Sequence, residues 1–114
     1  MLRPLPALGV GLAFQAPLTS LFDAAASVVD YAEVVPDIFW TDRGPGATPR
    51  YIDDDDGIAR MRVLHARMPL VPHSIGLSIG SAAQFDRDHV AQVAHWREGL
   101  DFPWHSDHLA FHLA

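Results

Sequence analysis

Apolar and polar positions change their period several times along the chain, and each change marks an element. Residues 7–12 (Ala-Leu-Gly-Val-Gly-Leu) form a short apolar run, read as a first buried strand. From Ser20 the period lengthens: Leu21, Phe22, Ala25, Val28 and Val29 share one helical face, and Ser20 with Asp23 makes a capping box. Residues 31–35 are a second strand, carrying Glu33 among apolar neighbours and ended by Pro36, which cannot donate to a ladder. Residues 41–50, rich in glycine and proline, predict a long loop. Ile58, Met61, His65 and Met68 then mark the inward stripe of a helix over about 57–68. Residues 70–75 are a third strand running into a Gly/Ser-rich turn. Asp86 is placed to cap a third helix, from 87 to about 100, and residues 102–114 read as a fourth strand.

Strands alternating with helices in this way predict parallel pairing with right-handed crossovers. The fold class is therefore α/β. A (β/α)8 TIM-type barrel takes about 250 residues. The 114 residues here then correspond to the first half of one: a single domain over 1–114 with four strands and three helices. A four-stranded open sheet is the alternative, but its last strand would be an unprotected edge.

Composition narrows the partners. The net charge is −6 and the eight basic residues, all arginine, are scattered, so neither nucleic acid nor an anionic membrane is expected as partner. No run approaches the ~18 apolar residues of a membrane span, and a cytoplasmic location is the simplest expectation. Cysteine is absent, which excludes disulfides, thiolate metal sites and cysteine nucleophiles. Seven histidines are the compositional oddity.

The candidate chemistry concentrates around those histidines. His73 sits where the central strand turns into a loop, beside Gly76 and Gly80, which permit close backbone approach. Barrels and open α/β sheets place their chemistry at that end of a strand. A core histidine bonded to a backbone carbonyl is the plainer reading of the same residue. Asp53, Asp54, Asp55 and Asp56 look like a metal patch, but carboxylates before a helix are favoured by its dipole, and consecutive side chains cannot all face one ion. His89 and His95 lie six apart and so do not share a helical face. In the last strand, alternation puts His105 and Asp107 on one face and His108 and His112 on the other. Asp107 and His108 can reach one site only at a strand end or a bulge.

Three segments together resemble the DUF692 (UPF0276) family: Gly9-Val-Gly-Leu12, residues 69–81 (Pro-Leu-Val-Pro-His-Ser-Ile-Gly-Leu-Ser-Ile-Gly-Ser), and Ser106-Asp-His-Leu109. These are multinuclear iron-dependent oxidases, among them the methanobactin biosynthesis oxidase and the thiaglutamate-pathway enzyme. The resemblance implies a (β/α)8 barrel holding two or three irons at its C-terminal mouth. It also implies a ribosomally made peptide as substrate, modified at cysteine and usually presented by a partner protein. His73 matches the histidine of the family's His-Gly-Val-Gly-Leu-Ser motif and looks like an iron ligand. Asp107 and His108 match the acidic-His pair of its Ser-(Asp/Glu)-His-Leu motif and look like ligands too. Glu33 matches the family's second-strand glutamate, and the resemblance implies a catalytic role for it, at the metal or behind one of the metal's ligands. Two departures stand out. The arginine and histidine expected after Gly-x-Gly-Leu are missing from residues 13–18, and Asp37-Ile38 stands where the family often has Glu-Asn.

Three functions follow as expectations. The first is an iron-dependent oxidase of peptide cysteine, here in truncated form. The second is a divalent-metal isomerase or hydrolase on a related barrel, for which Glu33 is the available base because the chain has no lysine. The third is a non-catalytic half-barrel that assembles with itself, as a homodimer through exposed strand edges, or with a missing C-terminal half.

Overall fold

The computed structural model describes residues 4–25, 27–80 and 85–109. Four strands form one sheet, β1 (Gly11–Ala13), β2 (Tyr31–Val34), β5 (Leu70–Ser74) and β6 (Ser106–Asp107), in the order β1-β2-β5-β6. All three pairings are parallel. A second, antiparallel pair, β3 (Trp40–Asp42) and β4 (Tyr51–Asp53), is inserted after β2. The helices are α1 (Thr19–Ala25), α2 (Asp55–His65) and α3 (Arg87–Leu100). Sequence order equals spatial order in the parallel sheet, the arrangement of successive βα units. This parallel α/β architecture is compatible with part of a TIM-type barrel.

Alternation along β2 and β5 decides which face meets the helices. Ala32, Val34 and Leu70 are fully buried and join Phe22 of α1, Met61 and Leu64 of α2, and Val93, Trp96 and Leu100 of α3 in one core. Glu33, Val71 and His73 therefore point to the other face, the one that would line a barrel. Gly57 lets α2 begin close to that core: a Cβ there would come within 2.4 Å of the Phe39 ring. Among the described residues no helix is long and apolar enough to cross a membrane.

Several expectations are corrected. The first strand is shorter and later than residues 7–12, because the Gly9 backbone takes φ +95° and the ladder begins at Gly11. The capping box fails: α1 starts at Thr19, so Ser20 lies inside it, and Asp23 pairs instead with Arg67. Leu21 and Val28 are exposed, and Phe22 alone anchors that helix in the core. The loop expected over 41–50 holds over 43–50, where it joins the strands of the β3–β4 hairpin, which are too short to show a period of two. Among the described residues of the expected fourth strand only Ser106–Asp107 pair; residues 110–114, His112 among them, lie outside the described residues. Asp86 does cap α3, accepting from the His89 amide at 3.0 Å.

Arg50 ties the hairpin to α3. Its guanidinium donates to Asp42 twice at 2.8 Å, to Asp86 at 3.0 and 2.8 Å, and to Asp88 at 3.2 Å. Hydrogen bonds from Arg50 hold the Asp42 carboxyl below its usual range. Burial pushes Asp86 up, but Arg50 and the His89 amide outweigh it and leave it low. Both folded-state values thus lie below the unfolded one, so the stabilisation is present above about pH 4 and fades as pH falls through the depressed values. Arg50→Met should cost about 2 kcal/mol, less than for a fully buried pair because Asp42 and Asp88 face water. It should also flatten the acid limb of a melting-temperature profile between about pH 4 and 2. An unchanged acid limb in the variant would show that Arg50 does not carry this linkage.

Candidate metal centre

The candidate residues gather where β5 and β6 end. Pairing of His73 with Ser106 and of Ser74 with Asp107 sets residues 105–108 beside the C-terminal tip of β5. The His108 amide adds one further bond, to the Ser74 carbonyl at 3.0 Å. His73 and His108 then stand side by side, ring centroids 4.4 Å apart and planes at 54°.

Hydrogen bonds hold both rings at Nδ1. His108 Nδ1 is 3.2 Å from the Ser74 carbonyl oxygen, which can only accept, so Nδ1 carries the proton and Nε2 is bare. His73 Nδ1 is 2.8 Å from Ser106 Oγ, and that hydroxyl also lies 3.5 Å from the Pro72 carbonyl. The serine thus holds the His73 ring at Nδ1, on the side away from Nε2. Holding Nδ1 from behind while Nε2 stays free is the arrangement that prepares an imidazole for a metal.

Asp107 lies, by alternation, on the opposite face with Ser74 and His105, whose Nε2 is 2.8 Å from Ser74 Oγ. Both Asp107 carboxylate oxygens are buried; the Leu77 amide lies near enough to pull the carboxyl pKa down but is too poorly aligned to make a full hydrogen bond. Burial is the main influence raising its pKa, with the Asp37 carboxylate adding to it, while His89 and His105 pull it down. Burial likewise lowers the pKa of His105, against the pull of Asp107. Glu33 shares the face of His73 but is registered against Val71, two residues further down β5, about 7 Å along the strand. The structure thus brings His73 and His108 together, puts Asp107 across the sheet end from them, and leaves Glu33 lower on the inner face. Among the described residues no three His, Asp or Glu side chains converge to hold an ion. The donor chemistry nonetheless fits a cation, with two imidazoles held at Nδ1 and a buried carboxylate that no cation neutralises at hydrogen-bond distance.

Two further groups belong to this rim. Asp37 accepts from the Ile75 and Gly76 amides at 3.2 and 3.0 Å, and a Cβ on Gly76 would come within 2.8 Å of it. His89, in the first turn of α3, is buried with Nε2 3.5 Å from Asp37 Oδ1. The sequence holds a signal for His89, which stands three residues after the helix cap and so faces back onto the strand ends; its spacing from His95 does not reveal it. Asp37, just beyond the expected strand, gave no pattern of its own.

Since the folded-state pKa of Asp107 is raised, this carboxyl favours folding only while protonated and opposes it once pH rises through that raised value. Asp107→Asn should therefore raise the melting temperature of the metal-free chain at pH 7 and leave it unchanged below about pH 4. A lower melting temperature at pH 7 would mean that the carboxylate has a stabilising partner.

A family model described as the RiPP precursor modification enzyme MbnB/TglH/ChrH matches residues 9–114. A UPF0276 protein from Rhizorhabdus wittichii is 34% identical over 87 residues, which cover 76% of this chain and 27% of that protein. The matched region therefore spans little more than a quarter of that relative's length. Glycine strand, histidine-glycine turn and acidic-His strand end all fall within the family match, and the chain belongs to the MbnB/TglH/ChrH family of enzymes that modify ribosomally made peptide precursors.

Proposed function

We propose that this chain supplies the first strands of a cytoplasmic, iron-dependent oxidase that modifies cysteine in a ribosomally made peptide. The observation that carries the reading is the imidazole pair, His73 and His108, 4.4 Å apart and each with Nδ1 tied down. Imidazole and carboxylate donors without thiolate suit Fe(II). In this reading His73, His108 and Asp107 hold the metal, and Asp107 swings its buried carboxylate over the strand end to do so. Iron bound there would supply one-electron chemistry and O2 reduction to a substrate thiol. The chain's own groups do the rest: the Ser106 hydroxyl and the Ser74 carbonyl orient the rings, and Glu33, on the inner face, takes the thiol proton. The peptide, with a partner protein to present it, comes from the family resemblance.

The same reading makes residues 1–114 one domain, the N-terminal part of a TIM-like barrel. In the described sheet β1 and β6 each have one neighbour, so both edges call for further strands. These come from further chain, as the greater length of the R. wittichii relative allows, or from a second copy in a homodimer.

Anaerobic titration with Fe(II) tests the metal. Wild type should bind, His73→Ala and His108→Ala should each weaken binding by about tenfold or more, and exposed His95→Ala should not. Failure of wild type to bind, or an equal loss in His95→Ala, removes the basis for an iron enzyme. Size-exclusion chromatography over a concentration series tests the second copy. A dimer is expected, and a monomer throughout would leave further chain as the source of the missing strands.

A further inference from the structure

The β3–β4 hairpin and the start of α3 enclose a cleft of about 850 Å³, and Asp37 stands where this cleft meets the end of β5. The Asp37 side chain is 11% exposed and divides its oxygens between two consecutive amides. Oδ2 accepts from Ile75 at 3.2 Å and Oδ1 from Gly76 at 3.0 Å. Glycine at 76 admits the carboxylate, since a Cβ there would stand 2.8 Å from Oδ1 and 2.9 Å from the His89 ring. The Ile75 N–H belongs to the same peptide unit as the Ser74 carbonyl. That unit is trans and planar, so its N–H and C=O point in opposite directions and turn together. On its far side the Ser74 carbonyl accepts from the His108 amide at 3.0 Å and lies 3.2 Å from His108 Nδ1. One rigid plane therefore carries a carboxylate at one edge and a candidate metal ligand at the other. The bond to Asp37 is charge-assisted, and an amide that donates to a carboxylate polarises its own carbonyl. The same contact thus fixes the direction of the Ser74 oxygen and strengthens its pull on the His108 proton.

We propose that Asp37 is a positioning residue for His108, acting through the Ser74–Ile75 peptide unit. The carboxylate holds the N–H, the plane passes that constraint to the carbonyl, and the carbonyl keeps the His108 proton on Nδ1, leaving Nε2 bare. That His108 serves a metal rests on the reading above, whereas the coupling itself is a property of the metal-free chain.

The test reads the tautomer of His108. In the whole chain, metal-free and isotopically labelled at histidine, imidazole nitrogen shifts at about pH 8, above the ordinary imidazole pKa, report which nitrogen carries the proton. Wild type should show His108 protonated at Nδ1. Asp37→Ala should give a mixture of tautomers, and Asp37→Asn, which keeps one neutral acceptor, should fall between. Should Asp37→Ala fail to fold, Asp37→Asn carries the comparison. Val93→Ala, in the core and away from the clamp, should lower the melting temperature and leave the tautomer unchanged. With Fe(II) added, Asp37→Ala should bind about tenfold more weakly than wild type. A His108 fixed at Nδ1 in both Asp37 variants would overturn the assignment, as would an equal tautomer change in Val93→Ala. Undiminished iron binding by Asp37→Ala beside a wild type that binds would overturn it too. Because the nitrogen shifts are read without metal, failure of wild type to bind iron strikes the reading above and not the coupling.

Discussion

The two-residue ladder between β5 and β6 is the constraint on which the candidate site depends. It fixes Ser74 in the centre of a small network: its carbonyl holds the ring and amide of His108, and its hydroxyl meets His105. Ser74 is fully buried, so these contacts form away from water, where a polar group left alone would be costly. A slip of one residue would exchange the faces of His105, Asp107 and His108 at a stroke. Two rungs do not set such a register by themselves. The bond from the His108 amide to Ser74 extends the lock by one residue, and the side-chain contact between Ser106 and His73 reinforces the first rung.

Side chains at that tip divide by parity into two neighbourhoods. Inward lie His73, Ser106 and His108, and below them Glu33. Toward the helices lie Ser74, His105 and Asp107, facing Asp37 and His89. The inward set is satisfied: each imidazole has an acceptor behind it. The outward set is not, since Asp107 and His89 both bury atoms without hydrogen-bond partners. Native chains retain few such groups, and those that persist cluster where something else is meant to bind.

Much of this was legible in the sequence because it rests on local chemistry. The strand carrying His73 stood out because Leu70 and Val71 run straight into Gly76 and its serines, and Asp86 marked the start of α3 because an aspartate there satisfies a free amide. Alternation also placed His105 with Asp107, apart from His108. What escaped depends on tertiary partners. The β3–β4 hairpin has three-residue strands and a Gly/Pro turn, and it is held by Trp40 stacked edge-on to Trp96 at 5.3 Å and by Arg50, neither of which leaves a periodic trace. The same holds for Asp37, whose importance comes from the Ile75 and Gly76 amides 38 and 39 residues away.

The hairpin is also what distinguishes this rim from a bare row of strand ends. A direct crossover from β2 to α2 would leave Asp37 open to solvent. Instead the inserted strands carry Trp40, Asp42, Arg50 and Tyr51 across to the first turn of α3, and the aromatic side chains shield the Asp37–His89 contact on that side. Shielding strengthens every charge interaction beneath it and raises the cost of any carboxylate left unpaired. Burial accordingly pushes the Tyr51 hydroxyl up to about 12, with the Asp86 charge adding to it, and keeps it protonated at neutral pH as a donor and acceptor within the cleft. One insertion thus fixes the geometry of the cleft and brings Arg50 against the cap of α3, where it bonds Asp86 twice.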